Sequence, residues 1–117
     1  MTFEHALAEV RSCAGVSLTA IADRDGIPVT SWGERPQEVE ELIAEYSTFL
    51  REVTSANREL QLGDLDQIMV SAEHKVVLIT SIAAGYFLMA VVERDGNPGK
   101  ARFACRTAAF RLRQDFV

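Results

Sequence analysis

The longest regular pattern of apolar residues in the chain runs from Arg35 to Leu62. Apolar side chains recur there at alternating steps of three and four, the spacing of a coiled-coil seam, at Val39, Leu42, Tyr46, Phe49, Val53, Ala56 and Leu60. Ile43 and Leu50 lie beside this seam and widen the apolar face. The pattern predicts a long amphipathic helix that covers a sheet and still offers an apolar strip to a second helix. On periodicity alone, packing of the whole strip onto the chain's own core is an equally good interpretation.

Helices are also predicted near both ends of the chain. Thr2 is a suitable N-cap for a helix that extends to about Ser12, and Gly15 ends it. A polar segment, 93–100, leads into the last helix, where small residues on one face permit close packing onto a sheet. They are Ala101, Ala104, Cys105, Ala108 and Leu112.

Five segments between these helices have the composition of strands, at 16–23, 27–33, 65–73, 76–82 and 86–92. The first two flank an Asp-Gly turn and predict a hairpin, in which Pro28 favours a position at the sheet edge. The third alternates apolar and polar residues, as a half-exposed strand does. The last two are nearly continuous in apolar residues, which is typical of central strands covered on both faces. Short joints between the last three strands predict antiparallel hairpins.

The resulting order is αββαβββα, an α+β fold with one predicted domain over residues 1–117. A chain of 117 residues is long enough to bury one hydrophobic core. With 48% hydrophobic and 25% charged residues, the composition is that of an ordinary globular protein.

The charge distribution narrows the choice of partner. A net charge of -5 argues against nucleic acid as the main partner, because phosphate binding depends on clustered Lys and Arg. The segment MTFEHALAEV contains acids and no apolar run of signal length, and no membrane-spanning segment is predicted, so we expect a cytoplasmic protein. The last eighteen residues are basic, which fits either an acidic partner or a solvated helical face. The basic residues are Lys100, Arg102, Arg106, Arg111 and Arg113.

Catalytic and metal-binding motifs are missing from the sequence. His5 and His74 have no Cys, His or carboxylate at ligand spacing, so no metal or cofactor is predicted. Cys13 and Cys105 fit neither CxxC nor zinc spacing and are predicted to be free thiols in the core.

Three segments together resemble the Roadblock, or dynein light chain, family. They are GVSLTAIADRDGIPV, the long acidic-faced helix, and YFLMAVVERDGNPGKARFACRTAAFRLRQDF. The resemblance covers nearly the whole chain. Its most telling part is the last strand, polar turn and Gly-Lys entry to the last helix, which looks like bacterial members that act with small Ras-like GTPases in motility and polarity.

The resemblance implies a five-stranded antiparallel sheet with the long helix on one face and the terminal helices on the other. It also implies a symmetric homodimer in which the long helices pair and the third strands join edge to edge. Two features of the residues agree with this independently. The seam has surplus apolar surface, and the third strand has little on its flanks to discourage pairing at an open edge. The predicted interface consists of Val39, Leu42, Ile43, Tyr46, Phe49, Leu50, Val53, Ile68, Met69, Val70 and Ser71.

The function implied by the resemblance is that of a non-enzymatic adaptor or regulator. It would bind a small Ras-like GTPase, another Roadblock-family protein, or both. Arg24 and Arg94, in the two Asp-Gly turns, are candidates for an arginine finger, although loop charges are the more common explanation. The chain ends at Val117, directly after the last helix, which favours an adaptor over an independent activator. Further candidate partner contacts are Lys100, Arg102 and Arg106.

Two alternatives stay open at this point. The dimer can be a heterodimer with a related chain. The domain can also be a small-molecule sensor of the PAS or profilin-like kind, with a pocket between sheet and helix. For such a pocket the fourth and fifth strands offer mainly Thr80 and Ser81 as polar groups.

Overall fold

The structure, a computed structural model, describes residues 3–33 and 35–116 and follows the predicted order of elements. A short 3₁₀ helix, Arg113–Phe116, extends the last helix. The predicted N-cap, Thr2, lies outside the described residues. The elements are α1 (Phe3–Arg11), β1 (Val16–Ala22), β2 (Pro28–Gly33), α2 (Pro36–Glu59), β3 (Gln67–Ser71), β4 (Lys75–Ser81), β5 (Phe87–Glu93) and α3 (Pro98–Leu112).

The five strands form one antiparallel sheet in the order β2-β1-β5-β4-β3. The predicted hairpins β1–β2, β3–β4 and β4–β5 are therefore confirmed. Strand β2 lies at one edge, as Pro28 predicted, since proline has no backbone N–H to donate to a further strand. Strand β3 lies at the opposite edge, and in the described chain it pairs only with β4.

Helices cover both faces of the sheet, because the central strand β5 carries apolar side chains on both of its faces. One set of its side chains packs with α1 and α3, and the other set faces α2. The small residues predicted to line the last helix are all buried against the first face. The α1–α3 set is Leu88, Ala90 and Val92, and the α2 set is Phe87, Met89 and Val91.

Helix α2 ends earlier than the apolar pattern indicated. Gln61 adopts the left-handed conformation that stops the helix, with φ of 57°. The N–H of Leu62 donates to the carbonyl of Asn57 at 2.9 Å and that of Gln61 to Arg58 at 3.1 Å, which is the Schellman arrangement. Leu60 is therefore the helix cap and not a seam residue, and it is 67% exposed.

The turn between β5 and α3 packs backbone to backbone against the turn after α1. The N–H of Asn97 donates to the carbonyl of Ala14 at 2.8 Å, and the N–H of Glu93 donates to that of Gly15 at 2.7 Å. A Cβ atom on Gly96 would lie 2.2 Å from the carbonyl oxygen of Ala14. The close approach of the two turns therefore requires glycine at position 96.

Replacing Gly96 with Ala is expected to destabilise the fold by about 2–4 kcal/mol, because the clash is with backbone that must shift. Gly99→Ala is the matched control, since its Cβ would meet nothing closer than 3.8 Å in the first turn of α3. Alanine there is expected to be neutral or to stabilise by up to about 1 kcal/mol. Urea denaturation measures both, and equal stability of the two variants would contradict the packing described.

Candidate dimerisation and partner-binding surface

One side of α2 carries an apolar strip that the sheet covers only in part. Leu42, Tyr46 and Val53 are half-buried, and Phe49 is 41% exposed. The rings of Tyr46 and Phe49 meet edge to face, with centroids 6.3 Å apart and an interplanar angle of 87°. These four residues, the α2 strip, leave apolar surface in contact with solvent.

Two residues of the predicted interface belong to the core of the single chain. Val39 is 3% exposed and Ile43 is fully buried, and both pack on the α2 face of the sheet. They have no surface to give to a second chain, so the predicted interface loses them. The reason is helical geometry: they lie on the side of α2 that faces the sheet, on average about a quarter of a turn from Leu42 and Phe49. Leu50 is half-buried at the border of the same core.

The open edge of β3 continues the apolar surface beside α2. Ile68 and Val70 are half-buried on the α2 face, where they pack against the same core as Leu42 and Tyr46. Met69 alternates to the other face and is 47% exposed. Strand β3 contains no charged residue to discourage pairing at its edge.

Hydrogen bonds to distant parts of the chain hold β3 in place. Gln67 donates through Nε2 to the hydroxyl of Thr80 and to the carbonyl of Arg102, each at 3.0 Å. Arg94 donates through Nη1 to the hydroxyl of Ser71 at 2.6 Å and to the carbonyl of Ala72 at 3.0 Å. Arg94, predicted as a partner contact, therefore clasps the β3–β4 hairpin within its own chain.

The other predicted partner contacts lie on separate surfaces. Arg24 is exposed in the β1–β2 turn, and in the described chain its guanidinium group has no hydrogen bond or ion pair. Lys100, Arg102 and Arg106 are exposed on α3, behind the sheet as seen from α2. Arg106 forms an ion pair with Asp66 at 3.1 Å. The five arginines and lysines thus do not form one site.

Sequence reasoning did not find a cavity at the end of the sheet beside Arg24. Arg58, in the last turn of α2, and Arg113, which follows α3, line it together with Arg24. No local spacing relates these three residues, which come from three distant segments of the chain. The fold brings them to one cavity by placing the β1–β2 turn, the end of α2 and the end of α3 close together.

A polar cluster joins α1 to the other edge of the sheet. Arg11 donates through Nε to the hydroxyl of Thr19 at 3.1 Å, and its guanidinium carbon lies 5.5 Å from the ring centroid of Trp32. The same guanidinium group pairs with Glu4, and this hydrogen bond and charge hold the pKa of the Glu4 carboxyl below its usual value. The cluster packs α1 against β1 and β2.

Both cysteines are buried free thiols, as predicted. Burial raises the pKa of the Cys105 thiol to about 12, and the nearby Cys13 acts in the same direction. Within the described ranges, no group of three or more His, Cys, Asp and Glu side chains could hold a metal ion. None of the helices described there is long and apolar enough to cross a membrane.

Comparisons with known proteins agree with this architecture. The Roadblock/LC7 domain model matches residues 2–93. The Roadblock/LC7 domain from Streptomyces avermitilis superposes with a TM-score of 0.83 at 15% identity, covering 93% of this chain and 92% of that one. The gliding protein MglB from Thermus thermophilus superposes with a TM-score of 0.84 at 15% identity, covering 96% and 86%. MglC from Myxococcus xanthus gives 0.67 at 24% identity, covering 98% and 99%.

No curated protein matches the sequence. The family model nevertheless spans well over half of the chain, and each of these structural neighbours superposes on at least 93% of it. The chain belongs to the Roadblock/LC7 family.

The thiol of Cys105 is expected to be inert in the folded protein. With its pKa near 12, only about one molecule in ten thousand carries the reactive thiolate at pH 8. Titration with Ellman's reagent should therefore give no fast phase in buffer and two thiols per chain in guanidinium chloride. Reaction of one thiol per native chain within seconds would contradict this burial.

Proposed function

We propose that this chain is a non-enzymatic homodimeric adaptor, acting in the cytoplasm, that binds a small Ras-like GTPase, another Roadblock-family protein, or both. The observation that carries the proposal is the partly exposed α2 strip, with Phe49 41% exposed, continuous with the unpaired edge of β3. A surface of this kind supports association, since monomers rarely leave contiguous apolar surface beside an open strand.

The proposed dimer has a definite geometry. Two β3 edges that pair antiparallel around a two-fold axis perpendicular to the sheet give one continuous ten-stranded sheet. The two α2 helices then lie on the same face, and their strips pack against each other. The interface consists of Leu42, Tyr46, Phe49, Val53, Ile68, Met69, Val70 and Ser71, with Leu50 at its border.

The relatives support a role in motility or cell polarity. The structural neighbours include the Thermus gliding protein MglB, MglB from Myxococcus xanthus and MglC from the same organism. Small Ras-like GTPases are the partners that the family resemblance implies. We place the GTPase on the composite surface of paired helices and joined sheets, because this is where a dimer adds surface that one chain lacks.

Whether the chain is an adaptor or a catalytic activator depends on whether Arg24 could act as an arginine finger. An arginine finger must be exposed and uncommitted, and Arg24 meets this condition whereas Arg94 is held by Ser71 and Ala72. Arg24 nevertheless lies at the end of the sheet, and its backbone carbonyl accepts a hydrogen bond from Arg51 at 3.1 Å. It is a residue of the β1–β2 turn and does not belong to the proposed dimer surface. We therefore assign it no catalytic part in the partner's hydrolysis.

Phe49→Glu is expected to convert the dimer to a monomer, because it places an unpaired charge in each half of the apolar contact. The dimer dissociation constant should rise at least about a hundredfold, a change of about 2.7 kcal/mol. Phe103→Glu is the matched control, since Phe103 is 72% exposed on α3, on the other face of the sheet. Sedimentation equilibrium gives the mass of each variant. A Phe49→Glu variant that stays folded and dimeric would show that the interface lies elsewhere.

Affinity capture from native lysate tests the GTPase assignment, with the purified chain as bait and a GTP analogue or GDP present. We expect capture of a small GTPase in one nucleotide state and reduced capture by Phe49→Glu. With the reconstituted pair, Arg24→Ala should leave the rate of GTP hydrolysis within about twofold, whereas loss of an arginine finger slows it by about a thousandfold or more. Absence of any GTPase or Roadblock chain in both captures would count against the adaptor function.

A further inference from the structure

A cavity with a volume of about 760 Å³ lies between the C-terminal half of α2 and the β4–β5 turn. This is within the range of small-molecule sites, about 300–1,000 Å³. Leu50, Thr54 and Arg58 form its roof, because residues four apart on a helix share one face. The four residues of the α2 strip do not line the cavity, and Leu50 lies at the border between the cavity and the proposed dimer surface.

The walls of the cavity combine apolar and cationic groups. Leu50 and Leu65, both half-buried, supply apolar surface, whereas Phe87, which also borders the cavity, is only 1% exposed. Arg24, Arg58 and Arg113 supply guanidinium groups from the β1–β2 turn, the end of α2 and the end of α3. Three cations from three separate elements line a cavity that also has apolar walls, which is an arrangement suited to a ligand with an anionic group and an apolar body.

Two of the three guanidinium groups are available for binding. In the described chain, the side chains of Arg24 and Arg58 form no hydrogen bond and no ion pair. Arg113 is fixed by its own chain, since Nε donates to the carbonyl of Ile82 at 2.8 Å and Nη2 to that of Ser81 at 3.3 Å. Arg113 therefore provides an oriented cation, and Arg24 and Arg58 provide donors without partners.

The turn below the cavity is shaped to hold Arg24. Ala84 and Gly85 are both left-handed, with φ of 54° and 85°, and the N–H of Tyr86 donates to the carbonyl of Ala83 at 2.9 Å. A Cβ atom on Gly85 would lie 2.8 Å from Cβ and 3.5 Å from Nε of Arg24. The arginine side chain thus lies directly over this turn, and glycine makes room for it.

Two carboxylates also line the cavity and offset part of its positive charge. Asp66 is already compensated, since it lies 3.1 Å from Arg106 and 3.9 Å from Arg113. Asp64 is exposed and forms no ion pair in the described chain. With three guanidinium groups against two carboxylates, one of them paired from outside, the lining favours an anion over a cation.

We infer that this cavity is a binding site for a small amphipathic anion, in which Arg24 and Arg58 contact a carboxylate, sulfonate or phosphate group and Leu50 and Leu65 contact a short apolar or aromatic body. The sensor alternative raised by the sequence gains support from this pocket between sheet and helix. The site does not depend on dimerisation, so its test is independent of the GTPase proposal.

Fluorescence titration with 8-anilinonaphthalene-1-sulfonate tests the inference, because this probe joins a sulfonate to an aromatic body. We expect one saturable site per chain. Arg24→Gln and Arg58→Gln should each weaken binding about tenfold, the usual effect of losing one charge-assisted hydrogen bond. Thr54→Phe, which fills the cavity from the roof, should remove binding. Circular dichroism and melting temperatures establish that each variant is folded.

Two controls separate this site from other surfaces. Arg102→Gln removes the same charge from exposed α3, outside the cavity, and should change affinity less than twofold. Phe49→Glu alters the α2 strip and should leave probe binding intact. The inference is overturned if the protein shows no saturable binding, if Arg102→Gln weakens binding as much as Arg58→Gln, or if Phe49→Glu abolishes it while Thr54→Phe does not.

Discussion

The structure depends on one constraint, the burial of β5 on both of its faces. From Phe87 to Val92 every side chain of this strand is buried, and a strand that is apolar on both sides is stable only between two covering layers. Helices α1 and α3 supply one layer and α2 the other. The order of strands follows from the same requirement, since β1 and β4 flank β5 and leave the less apolar β2 and β3 at the edges.

Helix α2 satisfies this constraint with only part of its apolar surface. Val39 and Ile43 complete the core, whereas the neighbouring α2 strip remains partly in solvent. One row of side chains on α2 thus serves folding, and the next row is the one that we propose for association. A substitution in the buried row is expected to act on stability, and one in the exposed row on assembly, which explains why periodicity alone did not separate the two roles.

The sequence predicted the fold well because its strongest signals are local. Apolar runs, alternation and turn residues located the five strands, steps of three and four located α2, and Pro28 indicated an edge strand correctly. The end of α2 was placed too late because a left-handed glutamine, Gln61, has no sequence signature comparable to that of glycine. The roles of single residues were harder to predict from the sequence. Arg94 and Arg24 lie in nearly identical Asp-Gly turns, yet only the tertiary structure gives Arg94 two acceptors from the β3–β4 hairpin.

The clasp formed by Arg94 has a consequence for the entropy of association. An edge strand that must become ordered when a partner binds loses conformational freedom at that moment, and this loss weakens the complex. Here Arg94 and Gln67 already restrain the two ends of β3 from the β5–α3 turn and from α3. The edge is preorganised, so its ordering belongs to folding and not to binding. A short five-residue strand can then support an interface that a mobile segment of the same composition would support poorly.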